Sequence, residues 1–152
     1  MKKIVLLFSF FLLCLSFTYS QHLEIKDGIY YKDQQVYTGT YKEYYDNGNP
    51  KMEINILNGL NNGLSIFYYE NGTKKEQQSY YKGEKDGKWL IWNEKGVITA
   101  EANYLKGKKH GMWYIWDENG KLIREMKYEN GEKAGIWKMW DSDGNLIQER
   151  KY

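Results

Sequence analysis

Two histidines, one cysteine and a recurring row of glutamates are the side chains of this sequence best suited to chemistry. His22 and His110 sit in unlike contexts, and neither has a cysteine or a paired carboxylate at metal-ligand spacing. Glu53, Glu101, Glu125 and Glu149 fall at one position of a 24-residue period, with Gln77 filling the gap. A row of acids is raw material for glycoside hydrolysis or for cation binding. Repetition argues for a plainer use: a residue copied with a structural unit serves that unit, here by pairing across strands with the abundant lysines. No nucleophile elbow, phosphate-cradling loop or Ser-His-Asp arrangement is present. The reading is of a non-enzymatic protein with no catalytic residue, no metal site and no cofactor.

The N-terminus bears on where such a protein works. Lys2 and Lys3 precede an apolar run from Ile4 to Phe17, followed by Thr18, Tyr19 and Ser20. A basic start, a short apolar core and small residues at the end make residues 1–20 a secretory signal peptide, cleaved after Ser20. The run is too short for a comfortable membrane span, so no transmembrane segment is expected after cleavage. The expected location is periplasmic, outer-surface or secreted. Cys14 leaves with the signal, and the mature chain then has no thiol and no disulfide. Subtracting Lys2 and Lys3 from 22 basic residues leaves 20 against 20 acidic ones, a formally neutral chain. Neutrality excludes nucleic acid as the partner, because phosphate binding relies on a basic excess.

The elements that carry these residues are set out by glycine. Gly39, Gly63, Gly87, Gly111 and Gly135 are spaced by 24 residues, and a second ladder follows nine residues later at 48, 72, 96, 120 and 144. A third recurs at 59, 83, 107 and 131. One small unit has been copied five times, over residues 39–152, after a cap segment at 21–38. Each unit opens on an aromatic and β-branched run such as Gly111-Met-Trp-Tyr-Ile-Trp, turns at a motif such as Glu118-Asn119-Gly120, and continues as a second extended run. Asn-Gly and Asp-Gly are read as the hairpin turns, since both residues tolerate positive φ. Pairs such as Gly83 and Gly87 are read as flanking a short turn between hairpins, which would place every glycine at a turn. No helical period is visible. The expected fold is all-β: an elongated, open-ended, single-sheet array of tandem antiparallel β-hairpins, on the order of 50 Å long at about 4.8 Å per strand.

Period-two alternation sorts the aromatics. Tyr41, Trp89, Trp113 and Trp137 share a face with Phe67, Ile91, Ile115 and Met139, while Trp92, Trp116 and Trp140 point to the other face unless a bulge re-aims them. On the second strand Tyr80, Tyr104, Tyr128 and Tyr152 form a further row. These rows are either core or a stacking surface, and Tyr41 with the six tryptophans are the candidate binding residues. The unit at Gly63 departs from the others, with Ser65 replacing the aromatic and Gln77-Gln78-Ser79 making its second strand polar. It is either a weak repeat or a docking place. The last strand carries Gln148-Glu149-Arg150-Lys151, charges that protect an edge, or else accepts a partner strand.

The pattern Gly-x-Trp-x-x-Trp-(Asp/Asn)-x-(Asn)-Gly, followed by a glutamate-bearing strand, a tyrosine and Gly-x-x-x-Gly, resembles the bacterial MORN-variant repeat. More narrowly it resembles the YwqK-type antitoxin proteins, over about Gln35 to Tyr152. The resemblance implies a β-hairpin array and a partner protein to be held or neutralised; MORN repeats more widely imply protein or lipid contact. The expected function is an exported protein-binding scaffold of antitoxin or immunity type. The alternative is a module that binds envelope carbohydrate or lipid through exposed aromatics.

Overall fold

The computed structural model describes residues 23–152. The signal-peptide reading of residues 1–20, with Cys14, and His22 fall outside them. Every regular element among the described residues is a strand. β1 (Glu24–Lys26), β2 (Ile29–Lys32) and β3 (Gln35–Val36) make a three-stranded sheet at the N-terminal side. A twelve-stranded antiparallel sheet follows: β4 (Gly39–Tyr44), β5 (Pro50–Leu57), β6 (Leu60–Tyr68), β7 (Lys74–Tyr81), β8 (Glu84–Lys85), β9 (Gly87–Trp92), β10 (Ile98–Leu105), β11 (Lys108–Lys109), β12 (Gly111–Trp116), β13 (Leu122–Glu129), β14 (Glu132–Trp140) and β15 (Leu146–Lys151). β8 and β9 are one strand broken at Asp86, and β11 and β12 are one strand broken at His110. Joined in this way, the sheet is a meander in which each strand pairs with those before and after it. β4 and β15 are its two ends, so the sheet is open.

Two kinds of turn alternate along the meander, and they do not divide as the motifs suggest. The two-residue connections Asn58-Gly59, Lys82-Gly83, Lys106-Gly107 and Asn130-Gly131 have positive φ at both positions, the mirror-image turn that matches strand twist. The Asp46-Asn47-Gly48 family instead closes on the glycine alone: Gly48 donates to the Tyr45 carbonyl, and only Gly48 has positive φ. Asn47 works there through its side chain, its Oδ1 accepting the Asn49 amide at 2.9 Å. The signal for an Asn-Gly hairpin was therefore valid, but the backbone it predicts belongs to the turns at the other long edge.

The second correction concerns Gly63, Gly87, Gly111 and Gly135, which lie within strands. Between Ile54↔Ser65 and Ile56↔Asn61, the three residues Asn62-Gly63-Leu64 face Asn55 alone. Glycine takes the positive φ of this bulge, +94° at Gly63 and +81° at Gly111. The bulge lets the following tryptophan fold back on the preceding strand. The indole N–H of Trp89, Trp113 and Trp137 donates to the carbonyls of Ser79, Asn103 and Lys127 at 3.0, 2.9 and 3.0 Å.

Adjacent repeats are tied at both edges: at one, Asn47, Asn71 and Asn93 donate through Nδ2 to the Glu70, Glu94 and Glu118 carbonyls. At the other, Gly83, Gly107 and Gly131 donate their amides to Asn61, Lys85 and Lys109 carbonyls, each at 2.8 Å. A side chain caps the same turn from the previous unit: Thr38 Oγ1, Asn62 Oδ1 and Asp86 Oδ2 accept from the amides of Asn58, Lys82 and Lys106. His110 holds the next equivalent position, and its Nδ1 is buried without a partner among the described residues. His110→Asn is expected to restore the cap to the Asn130 amide and stabilise the chain by about 1 kcal/mol. Asparagine suits this place better than aspartate because His110 lies near the Glu129 carboxylate. A urea midpoint that stays put or falls would show that the Asn130 amide needs no such partner.

A one-layer sheet buries little. Ile54, Ile56, Met126 and Tyr128 are the buried apolar side chains, and Ser65, 2 % exposed, is the most enclosed of all. Ser65 itself is thus closed to a partner, while Leu64 and Tyr81 of the same unit are exposed. The cap sheet lies against the turn that ends the first unit: the Tyr30 amide donates to the Gly59 carbonyl at 2.9 Å, and the Gly59 amide donates to the Tyr37 carbonyl at 2.8 Å. Burial, with Tyr30 as the next contributor, pushes the Tyr80 phenol above its ordinary value.

Candidate partner-binding surface

The third-position tryptophans are consumed by the fold. Tyr80, Trp89, Tyr104, Trp113, Tyr128, Trp137 and Tyr152 form one continuous ladder with ring centroids 4.8–5.4 Å apart, in tilted or edge geometry. Such pairs add about 0.5–1.5 kcal/mol each beyond area burial. A row of three lysines lies over this ladder: Lys85 over Trp89 and Tyr104 at 4.2 and 5.1 Å, Lys109 over Trp113 and Tyr128 at 4.7 and 4.8 Å, Lys133 over Trp137 and Tyr152 at 4.7 and 4.6 Å. Each of these indoles already has its N–H bonded, its ring flanked by tyrosines and an ammonium above it. The lysines recur at 24-residue spacing in the sequence, so this capping row was legible and went unread. Tyr41 occupies the same position in the first unit, opposite Ile54, without a place in the ladder. Its phenol is raised by burial first and by Glu43 second.

The sixth-position tryptophans have a different environment. Tyr114 and Trp116 stack at 5.5 Å, which sets this row on the opposite face from Trp113. No hydrogen bond engages the indoles of Trp92, Trp116 or Trp140 among the described residues. Each is opposed by an aliphatic side chain: Trp92 by Ile98, Trp116 by Leu122, Trp140 by Leu146. A bulge in the second strand, at Thr99, Ile123 and Ile147, sets these pairs, and counting residues from the turn would have missed it. In the first two units the equivalent pairs are Tyr44 with Pro50 and Tyr68 with Lys74. The apolar strip is therefore confined to the last three repeats. Ile98, Leu146 and Ile147 are 37 %, 50 % and 57 % exposed.

Beside this strip runs the glutamate row. Lys42 pairs with Glu53 at 3.0 Å and Lys88 with Glu101 at 2.7 Å, the cross-strand use expected of a copied acid. These are surface pairs, worth little individually. Among the described residues no group of three or more His, Cys, Asp or Glu side chains is placed to hold a metal ion. The carboxylates of Asp117 and Asp141 are held below the ordinary value because each caps its own turn: Lys121 and Asn119 amides bond Asp117, and Asn145 bonds Asp141 through side chain and backbone. These acids organise their own turns.

An open meander of repeated hairpins with one locked aromatic row and one unlocked row is a tandem-repeat β protein, a class whose neighbours stack to share a continuous surface. Five segments, residues 37–58, 61–82, 85–106, 109–130 and 133–152, match the MORN repeat variant, and the chain belongs to that family. The matched units begin two residues before the glycines at 39 and its successors. No curated protein matches the chain.

Proposed function

We propose that this protein is a non-enzymatic scaffold that holds another protein on the face bearing Trp92, Trp116 and Trp140. The observation that carries this reading is the unequal fate of the two tryptophan rows. One row is fully engaged by the fold, while the other forms Trp–Ile and Trp–Leu pairs in which Ile98 and Leu146 are exposed and Leu122 is half-buried, with Lys74 5.8 Å from the Trp92 ring. Two strands per repeat at about 4.8 Å space the pairs by about 10 Å. Aromatic anchors flanked by mixed charge are the composition of a protein interface core and rim. Lys88–Glu101 supplies such a rim charge pair beside Trp92 and Trp116.

The partner is met outside the cytoplasm if residues 1–20 act as an export signal, and an antitoxin or immunity role is the specific form this scaffold takes. The deciding experiment is crosslinked affinity capture from the source cell envelope, run in parallel with Trp116→Ala and Trp140→Ala. One dominant protein captured by the native chain and lost from both variants is the expected result. Equal capture by the variants would remove this face from the interface. Recovery of glycan or lipid in place of protein would transfer the function to an envelope-binding module.

A further inference from the structure

The chain holds 20 lysines but only two arginines, Arg124 and Arg150. Both line the same hollow, a cavity of about 240 Å³ on the ladder face at β13–β15. Its apolar lining comes from Met126, Met139, Trp137 and Tyr152, with Gln148 and Lys138 also at the wall, and no carboxylate contributes. The register explains the convergence. Arg124 is opposite Met139, which is opposite Gln148, and Trp137 is opposite Arg150. The two arginines are thus two strands and two residues apart, about 10 Å across the sheet and about 7 Å along it, within reach of one bound group.

This feature does not belong to the repeat. At the position of Arg124 the other units carry Met52, Glu76, Ala100 and Gln148, and at the position of Arg150 they carry Ile54, Gln78, Ala102 and Met126. A residue absent from the other copies is not needed by the unit. The ion pairs among the described residues all use lysine, so neither guanidinium is neutralised by a carboxylate there. Arg150 instead sits 5.0 Å from the Tyr152 ring centroid, which steadies its planar fork at the hollow's edge.

We infer that this hollow binds a carboxylate attached to an apolar body: the two guanidinium groups take the anion, and Met126, Met139 and Trp137 take the body. Arginine is suited to this because its parallel N–H donors match the two oxygens of a carboxylate. The ligand is either a free organic acid or the terminus of a peptide, and both present the same group. The site lies on the face opposite the Trp92–Trp116–Trp140 strip, so it stands whether or not that strip is the protein interface.

The test uses the purified chain labelled with nitrogen-15, in which two arginines mean two side-chain Nε–H signals. N-acetyl-phenylalaninate is the probe, with N-acetyl-phenylalanine amide as its uncharged counterpart, phenyl phosphate as the competing anion and N-acetyl-Gly-Gly-Phe as the peptide form. Both signals are expected to shift saturably with the carboxylate, and Arg124→Gln or Arg150→Gln each to weaken its binding by about tenfold. Tighter binding of the peptide would identify a peptide terminus as the source, and equal binding a free acid. Signals that respond equally to the amide, or to nothing, would overturn the inference. Tighter binding of phenyl phosphate would overturn the carboxylate assignment. Arg124→Lys keeps the charge without the fork, and an unchanged affinity would also count against it.

Discussion

Trp113→Ala is expected to lower the unfolding free energy by about 3 kcal/mol, the low end of the range for deleting a large aromatic from a packed site. The low end applies because Trp113 is half-buried in a one-layer sheet. Three interactions go with the ring: the contacts to Tyr104 and Tyr128 at 5.2 and 5.1 Å, the indole bond to the Asn103 carbonyl, and the cover by Lys109. With a denaturant slope of about 1–3 kcal/mol per molar in urea, the midpoint falls by about 1–3 M. Because each repeat touches only its neighbours, a lesion at the middle of the ladder also weakens the coupling between the repeats on either side. A second unfolding step in tryptophan fluorescence is the further sign of that. Trp116→Ala is the contrast, since its ring has one stacked neighbour and no hydrogen bond among the described residues. A midpoint for Trp113→Ala no lower than that for Trp116→Ala would refute the division between locked and unlocked rows.

Gly59→Ala is expected to cost about 2–5 kcal/mol, combining about 1–2 for a left-handed residue with a Cβ and about 1–3 for overpacking. Gly59 has φ +76°, and a Cβ there would run into Ile29 Cγ2, with Val36 Cγ1 at 3.0 Å and the Tyr30 carbonyl at 3.3 Å. Ile29 and Val36 belong to the cap strands, so the methyl forces the cap off the first repeat. Gly107→Ala isolates that effect. Gly107 has nearly the same φ, +78°, in the same kind of turn, and nothing lies within 4 Å of its would-be Cβ. The two variants share the conformational cost and differ only in the clash. Amide exchange at Tyr30 and Tyr37 is expected to quicken in Gly59→Ala and to stay unchanged in Gly107→Ala. Equal losses in both variants would mean that the cap contributes nothing to the array's stability.

Much of the architecture was legible because it rests on short-range rules. The glycine ladders, the aromatic runs and the turn dipeptides recur in one register, so strand, turn and period follow without tertiary information. The bulges were the weak point. Gly87 and Gly83 are the same residue type four positions apart, yet one sits in a strand and the other in a turn. What separates them is which strand each backbone group bonds, a long-range fact. Ser65 illustrates the same limit: a small polar residue in an aromatic column looks like a defect or an opening, and is instead the most enclosed side chain because of what packs around it.

The candidate binding residues divided for a similar reason. Trp113 and Trp116 are alike in type and three residues apart, and alternation alone places them on opposite faces. Only the assembled sheet shows that Trp113 is enclosed by Tyr104, Tyr128 and Lys109 while Trp116 faces Leu122. The arginines were hidden differently: their rarity could be counted, but their meeting in one hollow required β13 and β15 to be set on either side of β14. By itself the sequence determined a repeating, antiparallel hairpin array, because backbone propensity and a 24-residue period act within one unit. The tertiary structure alone decided which aromatics are locked into the ladder and which are not, because a side chain's environment in a single-layer sheet is supplied by the neighbouring repeats.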